Sequence, residues 1–179
     1  GGIDFRYYKG LHKNVITDLF GGQYYVDSYN RKSVLAENSV NGGVTSWVNQ
    51  KLGVGDVIRR DYDGFVMYEG GFAQLEYNKD KVSAFVSGGL TNTSYWRKDR
   101  FYYSGDKQLS SKKHYLGGNV KAGLNYNLDD YNNVFFNTGF ISRAPIFDNT
   151  FINSQSSHER NPDAKNEKVY SFELGYGYR

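Results

Sequence analysis

The sequence predicts an all-β fold, an antiparallel meander forming part of a transmembrane β-barrel, and three observations carry that expectation. The first is the stretch from His114 to Leu128. Its even positions are His114, Leu116, Gly118, Val120, Ala122, Leu124, Tyr126 and Leu128, against Tyr115, Gly117, Asn119, Lys121, Gly123, Asn125 and Asn127. Alternate side chains of a strand point to opposite faces, so this is a long strand with one apolar and one wet face. The second is the connections, which alternate between tight polar turns and longer loops, as in outer-membrane barrels. The third is composition: 39% hydrophobic residues, yet 17% aromatic, with 17 Tyr, 12 Phe and only 2 Pro in 179 residues. Tyrosine, with an apolar body and a polar tip, suits membrane interfaces better than dry cores, and scarce Pro suits continuously paired strands.

Taken in order, Ile3, Phe5 and Tyr7 alternate with Asp4, Arg6 and Tyr8 in a first strand ending at Lys9-Gly10. Leu11 to Asp63 lacks a sustained period. Val15, Ile16, Leu19 and Phe20 fall at helical spacing before Gly21-Gly22, so a short helix is expected near residues 12–20. Phe65–Tyr77 and Val82–Tyr95 are strands joined by the turn Asn78–Lys81. A loop around Ser104–Lys112 leads to His114–Leu128, and the turn Asp129–Asn132 to a strand over Asn133–Ser142. A long loop, Arg143–Asn166, precedes the last strand at Glu167–Arg179. Both ends of the chain are abrupt, so an internal piece of a larger barrel is expected, one domain over residues 1–179 without a plug.

Several chemistries lack support. With no Cys there is no disulfide scaffold or thiolate metal site, and His12, His114 and His158 have no zinc-ligand spacing. No nucleophile-elbow pattern is present, so no catalytic residue, cofactor or metal site is assigned and no enzyme is expected. The basic patches Arg97-Lys98 with Arg100 and Lys112-Lys113 do not form the stripe of a nucleic-acid binder. Glu76 and Glu173 fall on polar strand faces, and Glu69 on the apolar face near the outer end of its strand. Of the pairs Gly42-Gly43, Gly70-Gly71, Gly88-Gly89 and Gly117-Gly118, three lie inside strands, which excludes phosphate-cradling loops there and suggests bends or close packing. Tyr95, Trp96, Tyr102 and Tyr103 are weak ligand-binding candidates in the outer loops. They could stack on sugars or belong to an outer aromatic girdle or to loop packing, and the girdle or loop packing is favoured because other strands also end in aromatics.

Two stretches resemble the β-barrel of TonB-dependent outer-membrane receptors of the Bacteroides type. In Val134–Phe147 the matching residues are Asn137, Gly139, Ser142, Arg143, Ala144 and Pro145. In Asn161–Arg179 they are Asn161, Pro162, Glu167, Lys168, Glu173, Leu174, Gly175 and Tyr176. The opening residues 1–12 and residues 59–77 are similar to barrel segments of the same family. The resemblance implies a barrel of about 22 strands closed by a plug. It also implies import of a scarce nutrient (siderophore, cobalamin, peptide or glycan), energised by the TonB complex acting through the plug this chain lacks. An outer-membrane location, contact with the lipid bilayer and a possible surface lipoprotein partner follow from it. The rivals are a soluble β-rich carbohydrate-binding module and a small complete outer-membrane barrel, an adhesin or lipid-modifying enzyme. A closed eight-stranded barrel needs two strands from Leu11–Asp63. As an incomplete barrel, the chain is expected to self-associate through its terminal strands or its apolar face.

Overall fold

A computed structural model describes residues 1–34 and 47–178. Six strands form one antiparallel sheet in sequence order: β1 (Gly2–Val15), β2 (Val57–Lys79), β3 (Val82–Asp99), β4 (Lys113–Asn127), β5 (Asn132–Arg143) and β6 (Glu167–Tyr178). Each strand pairs with its sequence neighbours, as the meander requires. Among the described residues β1 and β6 each keep one unpaired edge. The two strands that a closed eight-stranded barrel needs from Leu11–Asp63 do not appear among the described residues. That stretch lengthens β1 and β2 and adds a lone bridge between Tyr25 and Leu52. The Gly42-Gly43 pair lies outside the described residues.

The connections divide by end. Lys79 pairs with Val82, closing a two-residue turn in which Asp80 takes φ 51°, a conformation that Asp tolerates better than most side chains. At the same end, Asp129 Oδ1 accepts from the backbone N–H of Tyr131 and of Asn132 (2.8 and 2.9 Å) and holds the β4–β5 turn. The three long connections, residues 16–56, 100–112 and 144–166, all emerge at the opposite end.

The helix expected near residues 12–20 is not formed. β1 continues to Val15 because its residues find cross-strand partners: Leu11 opposite Asp63, Lys13 opposite Asp61, and the His12 ring stacked on Tyr62 at 4.6 Å. Beyond it Ile16 is buried, but Phe20 is 93% exposed, so the helical spacing has no apolar face to bury. A four-residue helix, α1 (Ser28–Arg31), forms further on.

Register places the three glycine pairs of β2, β3 and β4 side by side. Gly70 and Gly71 face Thr91 and Leu90, next to Gly88-Gly89, and those two residues in turn face Gly117 and Gly118. Neighbouring backbones close in here. A Cβ on Gly118 would lie 2.7 Å from the Gly89 carbonyl oxygen, and one on Gly117 2.5 Å from that of Ser142. Such a belt lets a wide sheet bend. Elsewhere, rings fill glycine gaps: Phe85 lies across Gly123, and Phe135 across Gly175.

Gly117→Ala should therefore destabilise the sheet by about 1–3 kcal/mol, since unyielding backbone blocks the added methyl. Gly71→Ala, whose Cβ would meet its nearest atom at 3.8 Å, should be nearly neutral. Urea denaturation of the refolded chain checks the ranking.

Candidate functional site

In an antiparallel ladder, directly opposed residues share a face, so the register sorts every strand residue. One face carries Ile3, Phe5 and Tyr7 of β1, then Ala73, Leu75 and Tyr77 of β2, and Val82, Ala84, Val86 and Leu90 of β3. It continues through Leu116, Val120, Leu124 and Tyr126 of β4, Val134, Phe136 and Phe140 of β5, and Tyr170, Phe172, Leu174 and Tyr176 of β6. Most of these side chains are bare: Leu116 is 78% exposed and Leu174 81%, while Val82, Ala84 and Phe140 are half-buried. Six strands at ~4.8 Å spacing and an apolar height of ~34 Å give a patch on the order of 800 Å², above the ~300–600 Å² of a typical monomer's largest.

The opposite face is mainly polar. It holds Asp4, Arg6, Gln74, Glu76, Ser83, Ser87, Asn119, Lys121, Asn125, Asn133, Asn137 and Glu173, with the glycine-seated rings of Phe85 and Phe135 between them, and it also carries Tyr8, Phe72, Ile141 and Val169. The Asn137 side-chain amide donates to Glu173 Oε2 (2.9 Å), and that of Asn133 to Asn125 Oδ1 (2.6 Å). Toward the turn end an open cavity of about 540 Å³ lies among Gln74, Glu76, Ser83, Phe85, Asn125 and Asn137. Glu69, on the apolar face, accepts from the Asn92 amide (3.1 Å). Aromatic residues bracket the apolar face. Tyr77, Tyr126, Tyr176 and Tyr178 lie at the turn end, and Tyr7, Phe65 and Trp96 at the loop end.

The core lies at the loop end, where the long connections fold over the polar face. Tyr62, Tyr95 and Tyr115 are buried there beneath the β5–β6 loop. The Tyr95 hydroxyl donates to the Pro145 carbonyl (2.8 Å), and its ring meets Phe147 edge-on at 5.8 Å. Arg97 and Asp99, both 0% exposed, form an ion pair at 2.5 Å. Arg97 also lies 4.6 Å from the Tyr62 ring centre and donates to the Ser157 carbonyl, while Asp99 accepts from the N–H groups of Phe101 and Tyr102. Arg100 binds Asp61 and Asp63, and these hydrogen bonds hold its guanidinium more firmly protonated than usual.

The four candidate ligand residues are not brought together. Tyr95 and Trp96 point to opposite faces. Trp96 stacks on Phe65 (5.2 Å, 6°). Tyr102 packs with Phe101 and Val34 and donates to the Arg59 carbonyl (2.7 Å), and burial pushes its phenol up to about 12. Tyr103 stacks on His158 at 3.9 Å, and its hydroxyl accepts from the His158 backbone N–H. Tyr95, Trp96 and Tyr102 are each less than a tenth exposed, so these three offer no open ring for a sugar. Sequence reading missed the Arg97–Asp99 pair and the row joining Lys9, Phe65, Trp96 and Lys112. For the row a signal existed, because Trp96 and Lys98 share a parity in β3.

Among the described residues no group of His, Asp and Glu could hold a metal ion, and no helix is long and apolar enough to cross a membrane. No protein-family model, curated protein or solved structure matches the chain.

His158 lies beside the Lys107 and Gln108 carbonyls (3.0 and 3.1 Å from Nε2), which take its Nε2 proton. Burial first, then the nearby Arg97 charge, depress its imidazole to about 4. The unfolded chain takes up a second ring proton, at Nδ1, near pH 6.5 and the folded chain only near pH 4. Stability is therefore full above pH 6.5 and falls as pH drops toward 4. His158→Gln should flatten that part of the pH–stability curve. The His158 ring resonances, followed by NMR, should titrate near pH 4.

Proposed function

We propose that this chain is a wall segment of a TonB-dependent outer-membrane receptor. The apolar face meets lipid, the polar face lines the lumen toward a plug, and the long loops lie outside the cell. The observation that carries this reading is the separation of one sheet into a bare, largely apolar face and a largely polar, hydrogen-bonded face. A soluble domain would bury the apolar face, whereas a bilayer needs it bare. The dimensions agree. The ten steps from Leu116 to Tyr126 span ~34 Å along the strand, and at a tilt of ~40° they cross ~26 Å, close to the ~25 Å apolar band of such barrels. Aromatic side chains at both borders would lie at headgroup depth. All long connections at one end and tight turns at the other is the loop pattern of these barrels.

The narrower family reading rests on the motif residues. Arg143, from the Ser-Arg-Ala-Pro run, stands opposite Glu167, from the Glu-Lys run, and the two are bridged at 2.6 Å. Pro145 of the first run anchors Tyr95. In this reading the chain contributes wall and outer loops to nutrient import, the TonB complex acts through the plug, and the free edges of β1 and β6 pair with neighbouring barrel strands.

In lipid vesicles, Val120→Arg should cost about 2–4 kcal/mol of folding stability, the usual cost of a charge on the lipid face near mid-depth. Lys121→Ala, one residue away on the polar face, should cost under about 0.5 kcal/mol. The reverse ranking in folding titrations would turn the proposed lipid face into the lumen.

A further inference from the structure

At the loop end of the apolar face one row of the register runs across three strands to the residue that precedes β4. Lys9 of β1 stands opposite Phe65 of β2, and Phe65 opposite Trp96 of β3. Lys112 follows, one residue beyond the Tyr95–Lys113 pair. The two rings are parallel, and an ammonium sits over each outer side, Lys9 Nζ 5.8 Å from the Phe65 centre and Lys112 Nζ 4.5 Å from that of Trp96. Lys98 projects from the same face two residues further along β3.

The cations of this rim differ in their partners. Lys9 is bound to Asp63 (3.2 Å), which Arg100 also holds together with Asp61. Glu69, the next acid down the face, is occupied by Asn92. Lys98 and Lys112 are exposed, and among the described residues neither ammonium has a carboxylate partner. Of the uncompensated positive charges where the apolar surface gives way to the loops, these two adjoin Trp96, and Lys112 is anchored on its ring.

From this juxtaposition we infer that Lys98 and Lys112 form a docking site for the phosphate-bearing headgroup of an anionic lipid. The inference rests on the membrane reading above and goes beyond it by naming the partner of the rim. A lysine stem lies along apolar surface while its ammonium reaches up to the headgroup layer, and the ammonium is a point charge suited to phosphate. Free phosphate gains little from two flexible, hydrated lysines. A lipid whose chains already lie on the adjoining face delivers its phosphate at high effective concentration. The occupant is therefore the lipid headgroup.

The test uses the full chain partitioning into phosphatidylcholine vesicles with or without phosphatidylglycerol, read by vesicle sedimentation. Phosphatidylglycerol should raise the affinity of the unsubstituted chain, and each of the two lysines should carry about fivefold of that gain. The double substitution Lys98→Gln with Lys112→Gln should lose it and leave partition into phosphatidylcholine unchanged. Arg6→Gln with Lys121→Gln, both on the polar face, should keep it. An equal gain for both doubles would overturn the site, as would abolition of the gain by inorganic phosphate at matched ionic strength, which would mark a free-anion site. Failure to partition into either vesicle would overturn the membrane reading, and this inference with it. Binding to phosphatidylcholine alone separates the two failures.

Discussion

An unbroken ladder of direct antiparallel pairs, from Tyr62 opposite Asp99 to Lys79 opposite Val82, holds β2 against β3, and its register decides which side chains share a face. Similar ladders join β3 to β4 and β5 to β6. Each cross-strand contact contributes only ~0.2–1 kcal/mol, yet a slip of one residue would exchange the two faces of a whole strand. Leu90, Leu116 and Leu124 would then point where Asn119 and Lys121 now stand. Glycine takes part in fixing the register, since Phe135 fits only over a residue without a side chain, and Gly175 supplies that gap.

The loop end depends on a second constraint, the Arg97–Asp99 pair. Removing both charges from water is costly, and the cost is offset only because other groups complete their hydrogen bonding. Tyr62, the Ser157 carbonyl and two backbone N–H groups do this, and they come from β2, the β3–β4 connection and the β5–β6 loop. The pair therefore joins elements distant in sequence and fastens the loops over the polar face. Tyr95 and Tyr115 pack beneath the same loop, which gives the sheet a core at one end and leaves the rest of both faces bare.

The strands were legible where alternation is clean, as in His114–Leu128 and Glu167–Arg179, because period two is imposed by the backbone itself. Their outer ends were not. Asp61, Asp63, Arg97, Lys98 and Asp99 break the hydrophobic pattern, but β2 and β3 stay paired through them, with Asp63 bridged to Lys9 and Arg100 and Arg97 to Asp99, and no local rule reports those partners. For the same reason Val15 to Phe20 read as a helix: helical spacing is visible in sequence, whereas the partners that hold Leu11 and Lys13 in β1 lie some fifty residues away. The cluster of Tyr95, Trp96, Tyr102 and Tyr103 looked like one patch in sequence. The parity of adjacent strand residues already separated Tyr95 from Trp96, and the burial of Tyr102 depended on Val34, a tertiary contact.

Under the proposed function the even positions of β4 face lipid and the odd positions face water. Because the chain has no cysteine, single cysteines report on this without interference. Val120→Cys, Lys121→Cys, Leu124→Cys and Asn125→Cys would each be refolded into lipid vesicles and exposed to a membrane-impermeant maleimide. Positions 121 and 125 should label rapidly, and 120 and 124 should be protected. Equal labelling at all four, or the inverse alternation, would contradict this facing.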